Sequence, residues 1–216
     1  MELISINVSL PKEIDHNNKH IQTSIFKQAV AGDIAVNQFN LAGDQQSDLK
    51  NHGGEHKAIY GFSAGHYNFW RHKLNNPSLH YGQFGENLTI THLDEASLCI
   101  GDRIQINDCV LEITQPRVPC FKLGIAFDLS TMQELFIQHA ATGIYFRVLQ
   151  TGSIHTGNKV ERIHQHPEQL SVQTLFKAYF DKNFVDPETV LKQAAGIPEL
   201  SNEWRQKVVT RINNTQ

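Results

Sequence analysis

The sequence predicts a mainly β protein with a few helices, followed by a small helical appendage. Two observations lead to this prediction. Apolar and polar residues alternate over much of the first two-thirds, and the apolar spacing becomes helical after His166-Pro167. With 216 residues, 40% of them hydrophobic, the chain has room for one good-sized domain and an appendage. We place the β-domain at residues 1–165 and the appendage at residues 166–216.

Several short segments carry the strand pattern. Ile4, Ile6 and Val8 alternate with polar residues, which is typical of a half-buried strand. Residues 103–106 and 109–113 flank Asn107-Asp108 and predict a hairpin. Further extended segments are predicted at residues 58–62, 143–150 and 159–163.

Helices are predicted at five places. Ser63 can begin one helix, and a capping box starting at Ser130 can begin another. Three more helices are predicted in the tail. The first has an amphipathic face that begins at Val172. The second is capped by Asp186, with Pro187 at the first helical position, and the third begins at Ser201. The apolar faces of these short helices could pack on the β-domain or on a second copy of the chain. The sequence therefore leaves open whether the protein forms a homo-oligomer.

Composition excludes several classes of protein. The net charge is only −3, and no lysine or arginine cluster is long enough to predict a nucleic-acid-binding face. The sequence has no long apolar span, and its first residues lack the pattern of a signal peptide, so we expect a cytoplasmic protein without a membrane partner. The three cysteines, at 99, 109 and 120, are too few for a disulfide framework and lack zinc-site spacing.

The segment from Gln115 to Leu123 contains the strongest candidate for chemistry. Cys120 lies between Arg117 and Lys122, and two prolines stiffen the approach to its sulfur. Neighbouring cations favour the thiolate, which attacks electrophiles and binds soft metals. The alternative is that Cys120 packs as a small buried hydrophobic residue.

Two glycine-containing segments are candidate ligand sites. His52-Gly53-Gly54 with Lys57 suits an anion, with Lys57 as a point charge and His52 as a donor or proton carrier. After Gly85, the Asn87 amide could hold a polar ligand. For each segment the alternative is an ordinary surface turn, and neither has the residues of a Walker loop.

Arg147 lies in an apolar predicted strand and needs a partner, because an unpaired buried charge is costly. A carboxylate such as Glu86 or Asp102 would satisfy it structurally, and an anionic ligand would do so functionally. Taken with the segments above, these residues describe a thiolate surrounded by cations. That set suits an anionic cofactor carrying a thiophilic metal better than an acyl-transfer triad.

In order along the chain, these motifs resemble the MOSC domain family, named after the C-terminal domain of molybdenum cofactor sulfurase, and most closely its YiiM-like branch. The resemblance covers nearly the whole chain, including a tail that looks like the three-helix appendage of that branch. The matching motifs are Leu41-Ala42-Gly43-Asp44, His52-Gly53-Gly54 with Lys57-Ala58, Phe84-Gly85-Glu86-Asn87-Leu88, Gly101-Asp102, the segment Gln115 to Leu123, and Gly143 to Val148.

The resemblance implies a closed, mostly antiparallel β-barrel with a few helices that carries the molybdenum cofactor (molybdopterin) in a cleft. Cys120 would be the thiolate ligand of molybdenum, which agrees with the separate interpretation of that residue. The residues that would bind the pterin phosphate or oxo groups, or line the cleft, are Arg117, Arg147, Lys57, Lys122, His52 and Asn87. Gln22 stands where the branch often has a basic residue, and Lys19 or Lys27 could take its place.

The resemblance also implies an activity. YiiM-like members reduce N-hydroxylated compounds, such as N-hydroxylated purines, to the parent amine, which detoxifies N-hydroxylated bases. A separate reductase would supply the electrons, and His52 would protonate the leaving hydroxide. Pyridoxal phosphate is not expected, because the chain has no room for a sulfurase domain. Two alternatives stay open: a sulfur carrier with a persulfide on Cys120, and a cofactor carrier that does no chemistry.

Overall fold

The computed structural model describes residues 1–47 and 53–214 of the chain. Twelve strands lie in these residues: β1 Leu3–Val8, β2 Lys12–His16, β3 Lys19–Thr23, β4 Gln28–Val30, β5 Ile34–Val36, β6 Ile59–Ser63, β7 Leu88–Ile90, β8 Arg103–Ile106, β9 Cys109–Pro116, β10 Ile144–Gln150, β11 Gly152–Ile154 and β12 Val160–His164. The same residues contain six α-helices: α1 Ala64–Lys73, α2 Phe121–Phe127, α3 Met132–His139, α4 Val172–Phe180, α5 Pro187–Gly196 and α6 Asn202–Asn213.

Eight strands form one curved sheet, in the order β12-β8-β9-β10-β6-β7-β1-β4. Its pairs are antiparallel except for β6 and β7, which run parallel. The start of β1 meets the start of β12 through a single β-bridge between Glu2 and Lys159. Next to this bridge, the Val160 N–H donates to the Met1 carbonyl at 2.9 Å. The sheet is therefore barrel-like, and the expectation of a fully closed barrel was wrong.

The structure confirms the predicted strands and the hairpin at Asn107, whose φ of 54° gives the left-handed turn that a tight hairpin requires. The expectation of a half-buried first strand was wrong. Ser5 and Asn7 are buried as well as Ile6, because Ser5 Oγ donates to Asn7 Oδ1 at 2.7 Å and Asn7 Nδ2 donates to Thr89. Both faces of β1 are thus covered, one by apolar residues and one by a hydrogen-bonded polar cluster.

A β-bulge interrupts the pairing of β9 with β10. Tyr145 pairs with Gln115 and Phe146 pairs with Ile113, so Thr114 is an extra residue on β9. Thr114 Oγ1 lies 2.6 Å from the carbonyl oxygen of His56, in the 3₁₀ turn at residues 55–57. The Thr114 carbonyl accepts the N–H of Ser201 at 3.1 Å. The bulge therefore joins the sheet both to that turn and to the start of α6.

The three tail helices begin where the sequence predicts, and each has a side-chain cap. Ser171, Asp186 and Ser201 accept the N–H of the residue three positions later in α4, α5 and α6. The predicted helices after Ser63 and Ser130 also form, but the residues that precede them make no side-chain capping bond. Helix α2, which follows Cys120, was not predicted.

The apolar faces of the tail helices close on the sheet. Helix α4 packs against β9, and Leu175 and Trp204 belong to the same buried cluster as Ile113 and Val148. The tail helices are therefore packed on the β-domain within one chain, while the exact boundary at residue 165 stays a prediction. In the described part of the chain, every helix is too short or too polar to cross a membrane.

Candidate functional site

An open cleft lies where the ends of several strands meet the segment that follows β9. Its volume, counted to the open mouth, is about 640 Å³. Five of the predicted site residues line it: Lys57, Asn87, Arg117, Cys120 and Lys122. These residues come from distant parts of the sequence, so the fold brings together most of the set that the motifs predicted.

Cys120 lies at the end of the proline-containing segment and directly precedes α2. Its backbone is extended, with φ −119° and ψ 171°, and its side chain is half-buried. The other two cysteines are buried, and burial raises the pKa of Cys99 to about 11 and that of Cys109 to about 12. Cys120 is thus the cysteine placed at the cleft, as the sequence predicts for a reactive thiol.

Arg117 is buried in the wall of the cleft between aromatic rings. Its guanidinium carbon lies 4.9 Å from the ring centre of Tyr60 and 5.3 Å from that of Phe136. Burial by itself lowers the pKa of Arg117, but the neighbouring Tyr60, Tyr145 and Cys120 raise it above its ordinary value. Within the described residues, the buried Nη1 of Arg117 has no hydrogen-bond partner. A permanent cation with an unsatisfied donor is a good binding group for an anion.

The backbone around Arg117 is fixed by a glycine. The Arg117 N–H donates to the Gly143 carbonyl at 3.1 Å, and the Gly143 N–H donates to Glu95 Oε1 at 2.9 Å. Gly143 has φ +86°, and a Cβ atom there would lie 2.5 Å from the Tyr60 ring and 2.6 Å from the Gly61 carbonyl. A side chain at this position would therefore displace the residues that hold Arg117.

The two aromatic residues that line the cleft, Tyr60 and Tyr145, were missed by sequence reasoning. Tyr145 lines the cleft beside Tyr60, with ring centres 5.3 Å apart, and burial raises the pKa of both phenols. Burial is the larger influence on the pKa of Tyr145, and the positive charge of Arg117 partly offsets it. The available signal for Tyr145 was its place in the motif from Gly143 to Val148, which the sequence had already singled out.

Lys27 lines the inner wall, held by a buried polar cluster. Its Nζ lies 2.5 Å from Asp44 Oδ1, and Asp44 also accepts the Ser9 N–H at 2.8 Å and Asn87 Nδ2 at 2.9 Å. Asn87 Oδ1 in turn accepts the Tyr60 N–H at 3.1 Å. The amide of Asn87 is thus committed to the wall, and of the two cations suggested near Gln22, Lys27 is the one at the cleft.

Lys57 and Lys122 place two further cations at the cleft. Lys57 comes from the 3₁₀ turn at residues 55–57, and its Nζ contacts Glu203 Oε2 on α6. Lys122 Nζ donates to the Gln22 carbonyl of β3 at 2.8 Å. The carbonyl contact ties the hairpin of β2 and β3 to the segment that carries Cys120.

The structure does not bring Arg147 to the cleft. Its Nε donates to Glu112 Oε1 at 2.7 Å, and the other oxygen of Glu112 accepts Arg103 Nε at 2.9 Å. Arg147 therefore pairs with a carboxylate of the fold, which was one of the two alternatives for it. The partner is Glu112, and the suggestion of Glu86 or Asp102 was wrong. His52, predicted as a proton carrier, lies outside the described residues.

The buried carboxyl of Glu86 instead belongs to a cluster beneath the cleft. Its Oε1 accepts the Gly82 N–H and the Thr89 hydroxyl, each at 2.8 Å, and the Tyr67 hydroxyl also donates to it. Burial raises the pKa of Glu86 above its ordinary value. In the described part of the chain, no group of three or more His, Cys, Asp or Glu side chains could hold a metal ion by itself.

Comparison with known proteins agrees with this architecture. The MOSC domain family matches residues 48–161, and the YiiM-like three-helix domain family matches residues 170–215. The chain belongs to the MOSC domain family. Its second match shows that it is YiiM-like and carries the C-terminal three-helix domain of that group.

Three relatives illustrate the range of similarity. YflK of Bacillus subtilis is 37% identical over 205 residues, which cover 94% of this chain and 90% of YflK. A Gibberella moniliformis protein named Reductase is 33% identical to this chain in the matched region. That region covers 73% of this chain and 29% of the Reductase. The crystal structure of YiiM from Geobacillus stearothermophilus superposes with a TM-score of 0.81 at 29% identity, covering 98% of each chain.

Proposed function

We propose that this MOSC protein binds the molybdenum cofactor in the cleft and reduces N-hydroxylated compounds, such as N-hydroxylated purines, to the parent amine. The main supporting observation is that a half-buried thiol, Cys120, shares one open cleft with Arg117, Lys57 and Lys122. Family membership and the name of the reductase relative favour an oxidoreductase. A cytoplasmic location and the substrate class stay predictions.

The residues of the cleft fit such a cofactor. A soft thiolate suits molybdenum, and arginine and lysine suit the phosphate and oxo groups. The buried Nη1 of Arg117, which has no partner in the described residues, supplies a donor that an anionic group can satisfy. Asn87 and Lys27 would act indirectly, by holding the wall behind these groups. We leave Arg147 out of the binding set because Glu112 already neutralises it.

The bound cofactor would supply the two-electron redox centre. Reduction of an N–OH group to N–H consumes two electrons and two protons and releases one water molecule. The electrons would come from a separate reductase. We assign proton donation to His52 as a prediction from the sequence, since that residue lies outside the described ranges.

The first experiment measures molybdenum and pterin in protein made in a host that synthesises the cofactor, for the wild type and Cys120→Ala. We expect both in the wild type and their loss in the variant, with the fold unchanged. Cys99→Ala is the matched control, because Cys99 is buried away from the cleft, and it should keep the cofactor. Molybdenum content that is equal in all three proteins would refute the assignment of Cys120 as the ligand.

The second measurement supplies electrons and an N-hydroxylated purine to the loaded protein and follows formation of the amine. Turnover that requires Cys120 would support the oxidoreductase. Bound cofactor without turnover of any N-hydroxylated compound would support a carrier. The half-buried position of Cys120 also suits a persulfide carrier. That function predicts that mass spectrometry of protein taken directly from cells shows one extra sulfur atom on Cys120.

A further inference from the structure

A residue of the C-terminal helices contacts one of the residues that line the cleft. Lys57 lines the cleft, and its Nζ contacts Glu203 on α6, 146 residues further along the chain. The Lys57 side chain is only 10% exposed, whereas that of Glu203 is 41% exposed. An acidic side chain from the appendage therefore lies at a position that an anion in the cleft would also favour.

The second lysine–carboxylate pair at the cleft is different. Lys27 and Asp44 are both buried, with side-chain exposures of 8% and 1%. Asp44 is also held by the Ser9 N–H and by Asn87, so moving it would leave buried donors without partners. Asp44 is thus a fixed part of the wall. Glu203 is held less tightly: it also pairs with the half-exposed Lys207 at 3.5 Å, but a half-exposed carboxylate can turn into water at small cost.

The backbone of α6 is anchored directly after Glu203. Trp204 is fully buried and its N–H donates to Ser201 Oγ at 3.1 Å. Arg205 Nη2 donates to the Ile197 carbonyl at 2.6 Å and to the Leu200 carbonyl at 3.3 Å. Displacement of Glu203 from Lys57 therefore requires rotation of one side chain and leaves the helix in place.

We propose that Glu203 is a resident counterion of Lys57 that an anionic group of the ligand replaces. Through this residue the three-helix appendage would set the affinity of the cleft for anions. Two negative groups at one ammonium repel each other, so the ligand must displace Glu203 or bind against its charge. The identity of the natural ligand rests on the proposed function, but competition at Lys57 can be tested with simple anions.

The test uses Glu203→Gln, which removes the charge and keeps the shape. Titration calorimetry with inorganic phosphate and pyrophosphate at low salt should show about fivefold tighter binding than the wild type, as expected for loss of one partly exposed competing charge. The matched control is Glu188→Gln, which also removes one negative charge from a helix of the appendage. Glu188 pairs with the exposed Lys192 at 2.6 Å, and its removal should leave the affinity unchanged.

The same titrations in a Lys57→Gln background complete a double-mutant cycle. If Glu203 acts through Lys57, removing Glu203 should no longer improve binding in that background. Lys57→Met, which also removes the charge but keeps an apolar stem in this mostly buried position, covers the case in which Lys57→Gln does not fold. Three results would overturn the proposal: Glu203→Gln binds no more tightly than the wild type, the gain persists without Lys57, or no variant binds either anion.

Metal analysis separates this proposal from the proposed function. Wild-type protein that binds phosphate with the expected Glu203 effect, yet contains no molybdenum or pterin, would support the counterion role and contradict the cofactor assignment. Protein that holds the cofactor but shows no Glu203 effect would support the cofactor assignment and contradict the counterion role.

Discussion

Arg117 and Arg147 come from neighbouring segments of the sheet, and sequence reasoning assigned both to the same ligand. The structure separates them. Arg147 lies opposite Glu112 in the register of β10 and β9 and pairs with it. Arg117 is buried against Tyr60 and Phe136, and its Nη1 has no hydrogen-bond partner in the described residues. An arginine with a carboxylate partner belongs to the fold, whereas one that keeps an unsatisfied donor at a cleft is available to a ligand.

The largest expected effect tests the paired arginine. The Glu112 side chain is only 1% exposed and pairs with Arg147 and with the half-exposed Arg103. Arg147→Met therefore removes one of these two charged partners. We expect the free energy of unfolding to fall by about 3 kcal/mol, because a buried carboxylate loses a charge partner. Urea unfolding measures this change. Pyrophosphate affinity should stay at the wild-type value, and a large loss of affinity with normal stability would restore Arg147 to the binding set.

The next effect tests the arginine at the cleft. Arg117→Met should weaken pyrophosphate binding by about 2 kcal/mol, roughly 30-fold, because a charge-assisted hydrogen bond is lost. Its free energy of unfolding should change by less than about 1 kcal/mol, because no carboxylate is left unpaired. Calorimetry and urea unfolding on the same samples check both statements. If the Arg117→Met variant unfolds much more easily but binds pyrophosphate normally, Arg117 stabilises the fold and does not bind the ligand.

The smallest effect concerns His139, whose buried Nε2 has no hydrogen-bond partner among the described residues and lies outside the cleft around Arg117. Burial, with a smaller contribution from His66, lowers the pKa of His139 from 6.5 to about 4. Since the unfolded chain then binds more protons, stability should be complete above about pH 6.5 and fall as the pH decreases towards 4. Solvent screening of this partly exposed ring limits the loss to about 1 kcal/mol.

Urea unfolding at pH 7 and pH 5 checks this expectation, with His139→Gln beside the wild type. The variant should lose less stability than the wild type between the two pH values. An identical loss would show that His139 does not contribute to the acid sensitivity. Pyrophosphate affinity should not depend on this substitution, because His139 is not among the residues that line the cleft around Arg117.

Sequence reasoning succeeded where the determining contacts are local. Asn107-Asp108 predicted the hairpin because a tight turn depends on two residues. Asp186 and Ser201 predicted two helix starts because a cap reaches only three residues ahead. Arg117, Cys120 and Lys122 were found together because one short segment carries all three.

It failed where a partner is set by strand register or by packing of distant segments. Glu112 meets Arg147 because those residues lie opposite each other across two strands, 35 positions apart in the sequence. Glu203 reaches Lys57 only after the tail helices have packed on the sheet. Ser5 and Asn7 looked like an exposed polar face, and only the polar cluster around Thr89 explains their burial. No pattern within a single strand or helix contains this information.

The bulge at Thr114 limits how this domain can be engineered. One inserted residue fastens both the turn that carries Lys57 and the helix that carries Glu203. The sheet and the appendage are therefore not interchangeable modules, and a chimera that takes its tail from a relative must inherit a compatible kink in β9. Deleting that single residue would disturb the positions of Lys57 and Glu203 together.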